Sequence, residues 1–170
     1  MFGREMKVAK SVAAAMVMSL VATGGAEADS MADVRDVSDA FYAALSEMLT
    51  GKPVAGEIAA LWLDAPGVTA QHPVGGRDTG RDVLVGAFDG VARLASGGTI
   101  MIDDQAIAVF GDTAVETGVE TGLATLAGEA ITLEYRVTNV YTLTDDGWRM
   151  VHHHTDLSTP IIDLLASLSE

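Results

Sequence analysis

The chain reads as one α+β domain in which helices cover one face of a curved antiparallel sheet, and three features carry that reading. The first half has apolar residues at helical spacing, with Val34, Val37, Phe41, Ala44, Leu45, Met48 and Leu49 on one stripe. After Gly97-Gly98 every segment is rich in Val, Ile and Thr, the residues that suit a pleated, half-buried surface. The connections between those later segments are short, as an antiparallel meander requires.

Taken in order, Asp33 to Thr50 is the first expected helix, with Gly51 as its stop. A shorter helix follows from Val54 to Trp62, and Pro66-Gly67 breaks the chain. Val68 to His72 is extended and leads into a turn-rich loop, Pro73-Val74-Gly75-Gly76. Gly80 to Ala95 is the third helix, with Val83, Leu84, Ala87, Phe88, Val91 and Leu94 inside. The expected strands are Thr99 to Phe110, Thr113 to Leu126, Ile131 to Leu143 and Trp148 to Thr155, and Pro160 to Leu168 suits a short amphipathic tail helix. Helices followed by a meander is the pattern of an α+β fold.

Composition limits what such a domain can do. With 170 residues, 49% of them apolar and 20% charged, the chain has material for one real core. There is no Cys, which excludes disulfides, thiolate metal ligands and Cys nucleophiles. Residues 1–28 have the features of a cleaved secretory signal peptide: a basic start at Arg4, Lys7 and Lys10, an apolar run from Ser11 to Thr23, and Ala26-Glu27-Ala28 before the expected cut. A buried first helix is the alternative. Removal of that segment changes the formal charge from −14 to −15, leaving an exported domain over residues 29–170. So acidic a protein, without a Lys/Arg cluster, is no nucleic-acid binder and has no attraction to an anionic membrane after processing.

The last hairpin holds most of the residues that carry chemistry. Asp145-Asp146-Gly147 signals a three-residue loop closed by Gly147 in the left-handed region. That loop sets Thr144 opposite Trp148, Val140 opposite His152, Thr138 opposite His154 and Arg136 opposite Asp156. One face then carries Arg136, Thr138, Val140, Met150, His152, His154 and Asp156. The other carries Tyr135, Val137, Asn139, Tyr141, Leu143, Val151 and His153. His152, His154 and Asp156 form an H-x-H-x-D row whose geometry permits a metal, although a satisfied His row in a polar lining is the commoner use, and no metal or other cofactor is expected.

The stretches ALWLDAPGVTAQHPVGGRDTGRDVLVGAF and YRVTNVYTLTDDGWRMVHHHTD resemble the nuclear transport factor 2-like superfamily, and within it the SnoaL-like or ketosteroid-isomerase-like proteins, over about residues 33–160. The resemblance implies a cone of strongly curved antiparallel sheet wrapped around three N-terminal helices, of cystatin-like topology, with a cavity at its mouth and dimerisation through the sheet. The same cone hosts isomerases, cyclases, hydrolases, dehydratases and plain binding modules. By the ketosteroid-isomerase pattern, Tyr42 on the first helix corresponds to the oxyanion donor and His72 to the loop acid that serves as base. The second acid of those enzymes falls on Val140 or Asn139. The ending from Trp148 to Pro160 also resembles iota-class carbonic anhydrases and, more faintly, the calcium/calmodulin-dependent kinase II association domain. Asp156 stands there in place of a Ser that helps hold bicarbonate.

Within such a cone the expected site combines His72, Tyr42 and His154 as acid/base groups with Trp62, Arg136, Thr138, His152 and Asp156 as ligand-binding residues. His72 precedes a Pro and two glycines at the mouth, where a surface His is equally ordinary. Arg136 and Asp156 either pair to orient a carboxylate ligand or form a structural pair. Trp62 and Trp148 suit core or cavity wall. The implied function is an exported protein that binds a small organic molecule in a polar-lined hydrophobic cavity, with isomerase-, cyclase- or lyase-type acid/base chemistry open. The alternatives are a non-catalytic binding or dimerisation module and carbonic-anhydrase-like hydration. Apolar Tyr135, Val137, Tyr141, Leu143 and Val151 are expected on the outer sheet face, as the contact of a homodimer.

Overall fold

The computed structural model describes residues 11–169, and their side chains from residue 25 onward. The basic start of the expected signal peptide lies outside the described residues. Helix α1 spans Ser11–Leu49 and is followed by α2, Ala55–Leu61, and α3, Arg81–Ala92. Two short strands, β1 (Thr69–Gln71) and β2 (Asp78–Thr79), lie between α2 and α3. The meander then runs through β3 (Ala95–Phe110), β4 (Thr113–Leu126), β5 (Glu129–Thr144) and β6 (Gly147–Thr155), and α4 (Thr159–Ser167) closes the chain. One six-stranded sheet has the order β2-β1-β6-β5-β4-β3, parallel only where β1 meets β6.

The apolar stripe of α1 is the centre of the core. Val34, Phe41, Tyr42, Leu45, Met48 and Leu49 are buried there with Ile58, Leu84 and Phe88 from the other two helices. Gly51, at φ +86°, ends that helix by a backbone bond to Met48 O, as its position in the sequence implies. The sheet supplies Ile100, Ala124, Leu133, Tyr135, Tyr141, Trp148 and Met150 from the facing side.

Gly97-Gly98, read from sequence as a boundary, instead lies inside β3, where the sheet bends. Gly98 and Gly122 sit near each other across β3 and β4, at φ +141° and +155°. A Cβ on Gly98 would stand 2.2 Å from Leu123 O, and one on Gly122 would stand 2.0 Å from Thr99 O. Only glycine permits that approach, and register shifts at Ala95/Gly97 and Asp103/Ala106 add to the curvature.

The last hairpin differs from its sequence reading in two compensating ways. Thr144 pairs with Gly147 rather than Trp148, so the loop has two residues, Asp145 and Asp146, with Gly147 at φ +95°. Val151 is then an extra residue between the Tyr141–Met150 and Val140–His152 pairs. That bulge restores the expected pairings of Val140 with His152 and Thr138 with His154. It also exchanges the faces: Trp148 and Met150 point inward before it, His153 and Thr155 after it.

Candidate functional site in the interior cavity

The expected faces of β5 are reversed. Tyr135, Val137, Asn139 and Tyr141 are all buried, Asn139 and Tyr141 completely, while Arg136 and Thr138 alternate with them on the outside. The physical reason is ordinary burial of the more apolar face, which outweighs the placement of charged residues in a cavity. The apolar patch assigned to a homodimer is therefore largely interior.

The sequence-chosen residues consequently divide into two groups. Arg136, Thr138, His154 and Asp156 line a shallow groove on the outer sheet face with Asp104, Thr117 and Val119. The Arg136 guanidinium donates from Nε and Nη2 to Asp156 at 2.7 and 3.1 Å, with its side chain 81% exposed. That pair holds the Asp156 carboxyl below its usual range. His152 also faces outward, with Nδ1 2.7 Å from Thr69 Oγ1 and its ring 5.9 Å from that of His154. Among the described residues no group of three His, Asp or Glu is arranged to hold a metal ion. Trp62 is core: it is buried, bridges to Met150 and does not line the cavity, and its Nε1 has no partner. The three consecutive histidines thus do not converge, because alternation sends His153 alone inward.

Of the other two, His72 lines an interior cavity, whereas Tyr42 is buried without lining it and bonds Glu120, which does. A cavity of about 310 Å³ is walled by Leu45, Phe88, Leu133 and other apolar side chains. Its polar lining consists of His72, Asp78, Glu120, Tyr135 and His153, without a Lys or Arg. Ile161 and Leu165 of α4 contribute to its wall, and Ser158 N bonds Pro73 O at 2.8 Å, tying the tail to the β1–β2 loop. The glycines of that loop, Gly75 and Gly76 at φ +90° and +79°, turn β2 back along β1. This brings Asp78 Oδ2 to 3.2 Å from His72 Nε2, a close contact without full hydrogen-bond alignment. Burial pushes the His72 pKa down, against the opposing pull of Asp78.

Below the cavity is a buried polar network that sequence reasoning missed. Glu116 and Glu120, on β4, are buried. Glu116 receives hydrogen bonds from Gln105 Nε2 at 2.6 Å, Asn139 Nδ2 at 2.7 Å and Tyr141 OH at 2.6 Å. Tyr42 OH donates to Glu120 Oε1 at 3.0 Å and accepts from Asn139 Nδ2 at 3.3 Å. Burial raises the Glu120 pKa to about 8, with the neighbouring Glu116 adding to the rise and the Tyr42 bond opposing it. The Tyr42 phenol is likewise pushed up by burial and by Glu120. His153, its ring 6.2 Å from that of His72, is driven by burial down to about 3. At neutral pH Glu120 is therefore a neutral carboxylic acid in the cavity wall, and His72 and His153 are neutral imidazoles.

The two Glu were hidden because β4 inverts the usual pattern. Its inner face is Ala114, Glu116, Gly118, Glu120, Gly122 and Ala124, whereas Val115, Val119 and Leu123 lie on the other. The usable signal was pairing: the large inner residues of β5, Tyr141, Val137 and Leu133, stand opposite Ala114, Gly118 and Gly122. Small residues on β4 leave room for them, and the Glu between share that face.

Residues 34–161 match the family model of the SnoaL-like domain, and the chain belongs to that family. Solved structures agree on a nuclear transport factor 2-like, cystatin-like fold. A provisionally named dehydratase of the NTF2-like family from Streptomyces avermitilis is 24% identical, with a TM-score of 0.68 over 78% of this chain and 99% of that one. A provisionally named calcium/calmodulin-dependent protein kinase type II association domain from Thiobacillus denitrificans is 23% identical, with a TM-score of 0.60 over 72% and 93%. A protein provisionally named scytalone dehydratase from Novosphingobium aromaticivorans is 14% identical, with a TM-score of 0.65 over 76% and 84%. Among curated proteins none matches the sequence.

Proposed function

We propose that the protein binds an uncharged, largely apolar organic molecule bearing an oxygen function, inside the cone, and performs isomerase- or dehydratase-type acid/base chemistry on it. The observation that carries this reading is the cavity lining: apolar walls with a neutral acid, neutral imidazoles and no cation to hold an anionic ligand. In this reading His72 is the proton acceptor. With Asp78 Oδ2 in close contact at Nε2, we assign Nδ1 to the substrate, and a depressed pKa keeps it unprotonated near neutrality. The Tyr42–Glu120 pair is the donor, positioned to stabilise charge that develops on a ligand oxygen. The two structural neighbours provisionally named dehydratases are consistent with such chemistry. A carboxylate ligand on Arg136, by contrast, has only an open, solvated groove, where Asp156 already takes the guanidinium.

NMR titration with cyclohexanol and with cyclohexanecarboxylate tests the reading. Cyclohexanol is expected to shift signals of His72, His153 and Phe88, and the carboxylate to leave them unmoved. Binding of the carboxylate alone, with shifts on Arg136 and His154, would overturn it. We also propose that the domain is exported, on the strength of the basic start, apolar run and Ala26-Glu27-Ala28.

A further inference from the structure

The donor–acceptor chemistry of the buried network fixes the direction of the bonds that run from Glu116 through Asn139 to His153. Glu116 receives three donors on its two carboxylate oxygens, one of them the Asn139 amide nitrogen at 2.7 Å. The same Nδ2 also donates to Tyr42 OH. Asn139 Oδ1 is therefore the atom that meets His153 Nδ1, 2.8 Å away. A carbonyl oxygen only accepts, so the proton of that bond belongs to His153. A neutral imidazole with its proton on Nδ1 carries a lone pair on Nε2. His153 is buried, lines the cavity, and is held edge-on by Phe41 at 5.4 Å between ring centroids.

We propose that Glu116 is a positioning residue which, through Asn139, keeps the His153 proton on Nδ1 and leaves Nε2 as a hydrogen-bond acceptor for a hydroxyl group in the cavity. Turning the Asn139 amide over would aim its carbonyl oxygen at the Glu116 carboxylate, two acceptors face to face in a dry interior. That arrangement leaves the Asn139 carbonyl oxygen without a donor there and costs Glu116 one of its three, so Glu116 selects one amide orientation and the amide selects one tautomer. Asn139 is paired directly with Glu116 across β4 and β5 and with His153 across β5 and β6, which places the three residues in one row across the sheet. The consequence for ligands is a preference for hydroxyl compounds over ketones of the same shape. That preference rests on the binding reading above, whereas the tautomer does not.

Heteronuclear NMR of isotopically labelled protein reads the protonated ring nitrogen directly. In the unmodified protein His153 is expected to be protonated at Nδ1. In Glu116→Gln, whose amide can donate to a turned-over Asn139, the proton is expected to move to Nε2. Asn139→Leu, which removes the acceptor, is expected to abolish the preference for Nδ1, and it serves if Glu116→Gln does not fold. Tyr141→Phe keeps the Glu116–Asn139 bond and should keep the tautomer. An Nε2 proton in the unmodified protein, or a tautomer indifferent to folded Glu116→Gln or to Asn139→Leu, would overturn the proposal. Cyclohexanol and cyclohexanone are the ligand probes. The alcohol is expected to bind roughly tenfold tighter, with the difference lost in Glu116→Gln. Equal affinities overturn the ligand preference; binding of neither probe overturns the cavity reading and leaves the tautomer to be judged alone.

Discussion

Glu120→Gln isolates the energetic consequence of a buried acid beside the cavity. Glu120 has an ordinary value of 4.5 and is raised by burial to about 8. Between those values the unfolded chain has released the Glu120 proton while the native state still holds it. The native state thus binds more protons, and stability falls as pH rises. The contribution is fully present below the ordinary value, decreases by about 1.4 kcal/mol per pH unit, and is lost once pH passes the folded value. Across the window the total is roughly 4–5 kcal/mol, a large share of the roughly 5–15 kcal/mol that stabilises a domain. Gln keeps the volume and the carbonyl acceptor for Tyr42 but does not titrate. Urea unfolding of both proteins near pH 5, pH 7 and pH 9 measures the difference, and titrations elsewhere in the chain largely cancel in the comparison. The original protein is expected to lose about 4 kcal/mol relative to Glu120→Gln between the ends of that range, because the unfolded chain has already begun to release the proton below it. Parallel profiles would refute the account, since they require Glu120 to ionise in the native state as it does in the unfolded one.

Two further outcomes follow from the placement of the remaining groups. Arg136→Ala, Asp156→Asn and the double variant should all melt close to the original protein, because the pair is solvated on the outer face. Large single losses recovered in the double variant would mean a buried pair. Mass spectrometry of protein from the producing cell should begin at Asp29, and an intact chain starting at Met1 would contradict export.

The helical stripes and the meander of the last four strands were legible because burial enforces their periodicity: Phe41, Leu45 and Met48 sit where spacing alone puts them, and β4 has the ends expected of it. Resemblance to the ketosteroid-isomerase pattern pointed to Tyr42 and His72, of which His72 lines the cavity and Tyr42 is buried against Glu120. The opposite face of the hairpin was chosen because Arg136, His152, His154 and Asp156 looked like ligand-binding chemistry, yet the sheet buries Tyr135, Val137 and Tyr141 instead. Asp78 was not legible because β2 is two residues long and has no pattern. Glu116 and Glu120 were concealed by a strand whose inner face is made of small residues and acids, a choice that makes sense only against the large side chains of β5.

The central claim is that ligands enter the cone rather than settle on the sheet. A crystal structure of protein purified from its native source tests it most directly. Ligand density is expected in the cavity, with an oxygen within hydrogen-bond distance of Glu120, His153 or His72. Density in the outer groove, held by Arg136 and His154 with the cavity empty, would contradict it.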